Sequence, residues 1–146
     1  KGDIIIHNGV PHIIEMACRT SGGWFGAGSI PAATGINPMK PLLQTAMGEE
    51  PDLNSLEPTK HLGCAQRYWI PQENAIFQSA SGLQKIAQLP GVAMFDHFFP
   101  SKETKIEKAR HHAQRFAQVI CIGASREEAI LFAETAIDAI EIKVTY

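Results

Sequence analysis

The sequence predicts an α+β fold in which hairpins come first and a β-α-β unit closes the chain. Three observations predict it. Asn8-Gly9 stands between two runs rich in β-type residues, and that dipeptide is a strong short-range hairpin signal. Near the C-terminus, RFAQVICIGAS, a segment opening SREE, and IEIKV read as strand, helix and strand. There Ser125 with Glu128 three residues on forms a capping box. Between these ends strands and helices mix without regular alternation, which disfavours a doubly wound sheet.

Taken in order, DIIIH (3–7) and residues 11–18 are the arms of the first hairpin. Ser21 to Gly28 is glycine-rich and reads as a loop leading into a helix. SIPAATG and PMKPLLQTAMG read as short helices stopped by Gly35 and Gly48, with Pro31 and Pro41 dividing them. EEPDLNSLEPT (49–59) is polar, holds two prolines and reads as a surface loop. HLGCAQRYWI and AIFQSA are strands about a PQEN turn. SGLQKIAQL reads as a helix capped by Ser79 or Ser81. GVAMFDHFF is a strand, KETKIEKARHHA carries no clear pattern, and the capped helix runs to about residue 138.

The totals exclude several classes. A chain of 146 residues suits one domain or two small lobes sharing a core. The formal net charge is −2 with Lys and Arg scattered, so no nucleic-acid face and no membrane patch is expected. No apolar run approaches the roughly 20 residues that cross a bilayer. Cys18, Cys64 and Cys121 are odd in number and far apart, which fits free thiols and a reducing cytoplasm. Opening on KGDIII, already in a strand pattern, the sequence reads as a piece of a longer protein.

Asp3 and Glu15 lie either side of the turn, and register decides whether they meet. A two-residue loop pairs residue 7 with 10 and 3 with 14, which sends the two acids to opposite faces. A three-residue loop puts them on one face, joined by Ala17 and Arg19. Ile4, Ile6, Ile14 and Met16 then form the core side. Two carboxylates on one face repel unless a cation sits between them, and Mg²⁺ takes one or two carboxylates plus phosphate oxygens. The planar fork of Arg19 suits a phosphate or carboxylate. The glycines that follow let backbone N–H groups approach an anion, although no Lys follows them as in a Walker loop.

These residues carry a resemblance. DIIIHNGVPHIIEMACRTSGG resembles the closing hairpin of the ATP-grasp fold, where acids about a dozen positions apart hold Mg²⁺ on ATP. Glu15-Met16-Ala17-Cys18-Arg19 follows that family's Glu-x-Asn-x-Arg, with Ala17 in place of the Asn ligand. RTSGG and the helices after it resemble the biotin carboxylase and carbamoyl-phosphate synthase-like branch, especially the L-amino-acid ligase-like enzymes. AQRYWIPQENAIFQSASGLQKIAQLPGV and QVICIGASREEAILFAETAIDAIEIKV resemble the β-rich closing lobe of those ligases.

The resemblance implies the C-terminal part of an ATP-grasp ligase. Residues 1–50 would end the ATP-grasp domain, 51–60 link, and 61–146 form an α+β lobe. It implies a carboxylate–amine or carboxylate–ammonia ligase acting through an acyl phosphate, with ATP and Mg²⁺ as cofactors of a longer parent. Asp3 and Glu15 would be metal ligands, Arg19 would steady the transferring phosphate or the acyl phosphate as the catalytic residue, and Ser21, Gly22 and Gly23 would bind the cofactor and border the acceptor site. The chain alone is then expected not to turn over ATP. Its partners would be ATP and a small carboxylate or amine, with a homodimer left open. The alternative is a non-catalytic interaction or dimerisation module, which Ala17 favours and the Asp3, Glu15, Arg19 trio opposes.

Other residues read more blandly. His111-His112 lacks a third ligand at useful spacing and reads as a solvated pair; His7, His12 and His97 read as exposed. Cys18 reads as a small buried thiol, and Phe95, Phe98 and Phe99 as core and rim packing. Trp24 and Phe25 either line an acceptor pocket or anchor the glycine-rich loop.

Overall fold

The computed structural model describes residues 1–146. It opens on a two-stranded ribbon, β1 (Gly2–His7) and β2 (Val10–Met16). The turn is two residues long, with Asn8 and Gly9 both at positive φ (49° and 78°) and His7 paired with Val10. That is a primed turn, whose twist matches the strands it joins. The register then shifts. Ile4 pairs with Ile13, but Asp3 pairs with Glu15, so Ile14 is an extra residue on β2, a β-bulge.

Neither alternative read from the loop length describes this ribbon. The loop has two residues, yet the bulge restores the pairing that a three-residue loop would have produced. The expected core side is also corrected: Ile4, Ile6, Ile14 and Met16 are all exposed, as are Ile5, Val10 and Ile13. A two-stranded ribbon has no second layer of its own, so its isoleucines remain in water.

The glycine-rich segment is more ordered than a loop. Phe25–Ser29 forms a single π-helical turn that runs into α1 (Ile30–Thr34). Gly35 ends α1 in the left-handed conformation (φ 75°), as expected of a C-terminal glycine. α2 (Met39–Ala46) follows and stops before Gly48, also at positive φ. Residues 51–62 carry only a short 3₁₀ turn, Leu53–Leu56. Thr59, Lys60 and Leu62 donate their backbone N–H groups to the carbonyls of Ala33 and Thr34.

The remaining chain builds two antiparallel three-stranded sheets. One has the order β3 (Gly63–Trp69), β7 (Ala117–Gly123), β5 (Val92–His97). The other has the order β6 (Thr104–Ile106), β4 (Ala75–Ser81), β8 (Glu141–Thr145). α4 (Arg126–Asp138) lies on the first sheet, and its Ala129, Ala133 and Ala136 are fully buried against Ala65, Val119 and Cys121. Small side chains at i, i+4 and i+7 form one narrow face and let the helix approach closely. The Ser125 cap is present, its Oγ accepting the Glu128 N–H at 3.1 Å. The Glu128 carboxylate returns to the N–H of Ala124, one residue earlier than the box pattern expects.

The π turn covers the other face of this sheet. Gly28 is buried there, where a Cβ would run into Ile120 and press on Met94. Trp69, Phe99 and Ile142 touch both cores and join the two sheets, with Phe77 and Phe99 stacked at 5.7 Å.

Two further expectations are corrected, and a stretch with no expectation is assigned. The helix of 81–89 is a single turn, α3 (Leu83–Ile86), and neither Ser79 nor Ser81 caps it. Gly82 enters it at φ 80°, while Ser81 Oγ donates to Glu141 across the sheet. The unassigned 102–113 stretch holds β6 and a 3₁₀ turn, His112–Gln114. Cys18, expected buried, is exposed beyond the end of β2; Cys64 is half-buried and Cys121 is buried.

Candidate functional site

Asp3 and Glu15 are direct cross-strand partners, and side chains directly opposite share a face. Both are exposed. Asp3 is held by the Lys1 ammonium at 2.7 Å, and Glu15 has no ion-pair partner. No cluster of three or more His, Cys, Asp or Glu side chains is positioned to hold a metal ion. The donor set is thus two carboxylates, enough for Mg²⁺ that brings phosphate oxygens with it. Ala17 supplies no further ligand. Arg19 is exposed, its Nη1 donating to the carbonyl of Thr20 at 3.2 Å, and it forms no ion pair.

Past Arg19 the chain enters the wall of the largest cavity, about 520 Å³. Thr20, Ser21, Gly23 and Trp24 line one side of it; Gly22 does not, and nothing lies within 4 Å of the Cβ that a side chain there would add. Trp24 sits at φ 65°, a left-handed conformation that is costly for a bulky residue, and its carbonyl accepts from both Gly28 and Ser29. The π turn thereby holds the indole at the cavity mouth, and single π turns recur at functional sites. Of the two aromatics, Trp24 lines this cavity while Phe25 faces another groove.

The far wall comes from the closing lobe. Tyr68, His112, Arg115 and Gln118 line it, with Phe98 at its edge. The Arg115 guanidinium lies 4.2 Å over the Tyr68 ring and has no carboxylate partner. Stacking on an aromatic face fixes a guanidinium in place while leaving its donors free. Gln66 ties the two walls together, its amide nitrogen donating to the Gly23 carbonyl at 2.8 Å and to Gln118 at 3.3 Å.

Sequence spacing did not single out Tyr68, Arg115, Gln118 or Gln66. They meet because β3 pairs with β7, which sets Tyr68 opposite Gln118. His112, read as merely solvated, is exposed but also lines this cavity.

Residues 67–145 match the profile of the family described as L-amino acid ligase C-terminal domain 2. The chain belongs to that family. Solved structures share its fold, two of them as follows. One is phosphoribosylglycinamide synthetase from Anaerococcus prevotii, with TM-score 0.79 and 17 % identity, over 99 % of this chain and 36 % of that one. The other is L-amino acid ligase from Bacillus licheniformis, with TM-score 0.76 and 22 % identity, over 99 % of this chain and 37 % of that one. The fold is that of the C-terminal portion of ATP-grasp enzymes. The chain spans little more than a third of the length of those structures. A search of curated proteins found no match. No helix is long and apolar enough to cross a membrane.

Proposed function

We propose that this domain supplies part of the active site of an ATP-dependent carboxylate–amine ligase. The observation that carries the reading is the register: the bulge at Ile14 turns Asp3 and Glu15 to one face, above a loop that leads directly into the largest cavity. On this reading Asp3 and Glu15 hold Mg²⁺. Bound Mg-ATP supplies the phosphoryl group that activates a carboxylate as an acyl phosphate, which an amine then displaces.

The chain's own residues do the positioning. Arg19, three residues past the end of β2 and in no ion pair, steadies an anionic group at that end of the ribbon. The backbone at Ser21 and Gly23 borders the substrate, Gly22 lying just outside the cavity wall, and Trp24 and Tyr68 line opposite walls of the site. Arg115, fixed on Tyr68 and lacking a carboxylate of its own, offers donors to a substrate carboxylate. The two walls come from opposite sides of the 51–60 segment, which we take as the boundary between the end of the ATP-grasp domain and the closing lobe. We place the protein in the cytoplasm.

The test is ADP release with paired amino acids. It is measured on the longest natural protein that carries this sequence and on the 146-residue chain alone. Turnover in the former and none in the latter is expected. Glu15→Gln should lower turnover by about two orders of magnitude or more, because metal charge stabilisation is worth several kcal/mol. Full activity of Glu15→Gln would overturn the metal assignment.

A second reading is favoured by one observation. The bare ribbon presents Ile4, Ile6, Ile13 and Met16 to solvent, as an interaction module or homodimer contact would. Absence of ADP release from the longer protein, with the 146-residue chain self-associating in sedimentation, would put this reading first.

A further inference from the structure

Gln66 does not line the large cavity, yet it stands behind its wall. Tyr68 pairs with Gln118 and Gln66 with Ile120, so these four side chains share the face of the sheet that the π turn covers. The Gln66 amide nitrogen donates twice across long stretches of chain, to the Gly23 carbonyl at 2.8 Å and to Gln118 Oε1 at 3.3 Å. The first is the one hydrogen bond from the closing lobe to residues 20–24. Gln118 is itself buried and lines the cavity.

The loop held in this way has reason to relax. Gly23 and Trp24 are consecutive residues at positive φ, 66° and 65°. A bulky side chain in that region persists only where its surroundings over-determine it. On the far side, the Trp24 carbonyl accepts from the Gly28 and Ser29 N–H groups at 2.8 and 3.0 Å. On the near side, the peptide group joining Gly23 to Trp24 carries the carbonyl that Gln66 grips.

Chemistry fixes which way the Gln66 amide points. A carbonyl only accepts, so the nitrogen must face Gly23, and Gln66 Oε1 is left buried without a partner. We propose that Gln66 is a positioning residue that holds the peptide between Gly23 and Trp24 and thereby sets the loop wall of the cavity. It acts through Gly23 rather than on a substrate. Its consequence for turnover rests on the ligase reading; its hold on the loop does not.

Amide hydrogen exchange of the 146-residue chain, resolved by NMR, is the test. The Gly28 and Ser29 amides report the loop, and the amides of the central strand β7 report the fold. Gln66→Met keeps the length of the side chain and loses the donor. It should lower protection at Gly28 and Ser29 about tenfold at every pH and leave β7 within about twofold of the parent chain. Gln66→Glu adds a pH signature that a merely structural role would not give. The introduced carboxyl donates to Gly23 only when protonated, and burial and the facing carbonyl both favour that neutral form. Protection should match the parent chain at about pH 4.5 and fall to the Gln66→Met level at about pH 7.5. The titratable groups around it are Cys64 and Tyr68 on the same face of β3 and His112 and Arg115 across the cavity; the parent chain measured at both pH values subtracts them.

In the longest natural protein that carries this sequence, ADP release by Gln66→Glu relative to the parent should rise as pH falls, while that of Gln66→Met stays low. No ADP release from the parent protein would remove the ligase reading and leave hydrogen exchange to decide the hold on the loop. Unchanged protection at Gly28 and Ser29 in Gln66→Met, an equal loss at β7, or Gln66→Glu protection that is the same at both pH values would each overturn the proposal.

Discussion

The β1–β2 ribbon and the β3–β7–β5 sheet invert the usual link between apolarity and burial. The ribbon is rich in isoleucine, yet Ile6 is 74 % and Ile13 70 % exposed. The sheet is covered by a helix whose inner face is alanine, and Ala129, Ala133 and Ala136 are 0 % exposed. Burial follows from having a second layer to pack on, not from side-chain size. A two-stranded element makes only cross-strand contacts, whereas α4 brings a whole face onto β7 and β3.

The largest test of that contrast is Gly63→Ala. A Cβ at Gly63 would collide with the backbone of Ser125 and Arg126, where α4 begins. Backbone cannot swing aside as a side-chain tip can, so denaturant unfolding should show a loss of about 3 kcal/mol. A loss near zero would mean that α4 sits as loosely as the ribbon.

Next comes the alkaline limb of stability. Burial, with the nearby Cys64 adding, pushes the Cys121 thiol up from 9.0 to about 11. Between those values the unfolded thiol ionises while the folded one stays neutral, so the unfolded state binds fewer protons and stability falls as pH rises. Raising pH from about 9 to 11 should cost the parent chain on the order of 2 kcal/mol more than it costs Cys121→Ala. Parallel pH curves for the two proteins would remove Cys121 as the cause.

Ser29→Ala is expected to move stability the other way. Removing a buried hydroxyl that has only the weakly accepting Cys64 thiol beside it should leave the free protein unchanged or stabilise it by up to about 1 kcal/mol. A clear loss, read by thermal unfolding, would mean that the hydroxyl is already satisfied. The smallest effect belongs to the ribbon. Ile6→Ser should change unfolding free energy by less than about 0.5 kcal/mol, despite removing a large apolar side chain. A core-sized cost would show that Ile6 is covered in solution.

The features legible in the sequence were the ones decided within a few residues. Asn8-Gly9 forms the expected primed turn, Gly35 and Gly48 stop their helices, and Ser125 starts α4. Expectations that relied on wider context fared less evenly. Counting from the turn gives a parity, but the bulge at Ile14 reverses it, and no residue in PHIIEM announces a bulge. Ser79 and Ser81 are ordinary cap residues, yet cross-strand pairing claims Ser81 for Glu141. The cavity's near wall was visible as a glycine-rich stretch with Trp24. Its far wall was not, because Tyr68 and Arg115 are brought together only when β3 lies beside β7.

By itself, then, the sequence determined where the chain turns, where its helices begin and stop, and which residue types are available for anion and metal chemistry. Those are matters of backbone dihedral preference and of hydrogen bonds closed over three or four residues. Tertiary structure decided that Asp3 faces Glu15, that the isoleucines stay in water while alanines are buried, and that Arg115 lines the same cavity as Ser21 and Gly23. Each of these depends on how strands pair and what layers cover them, and in a strand a one-residue shift exchanges the two faces.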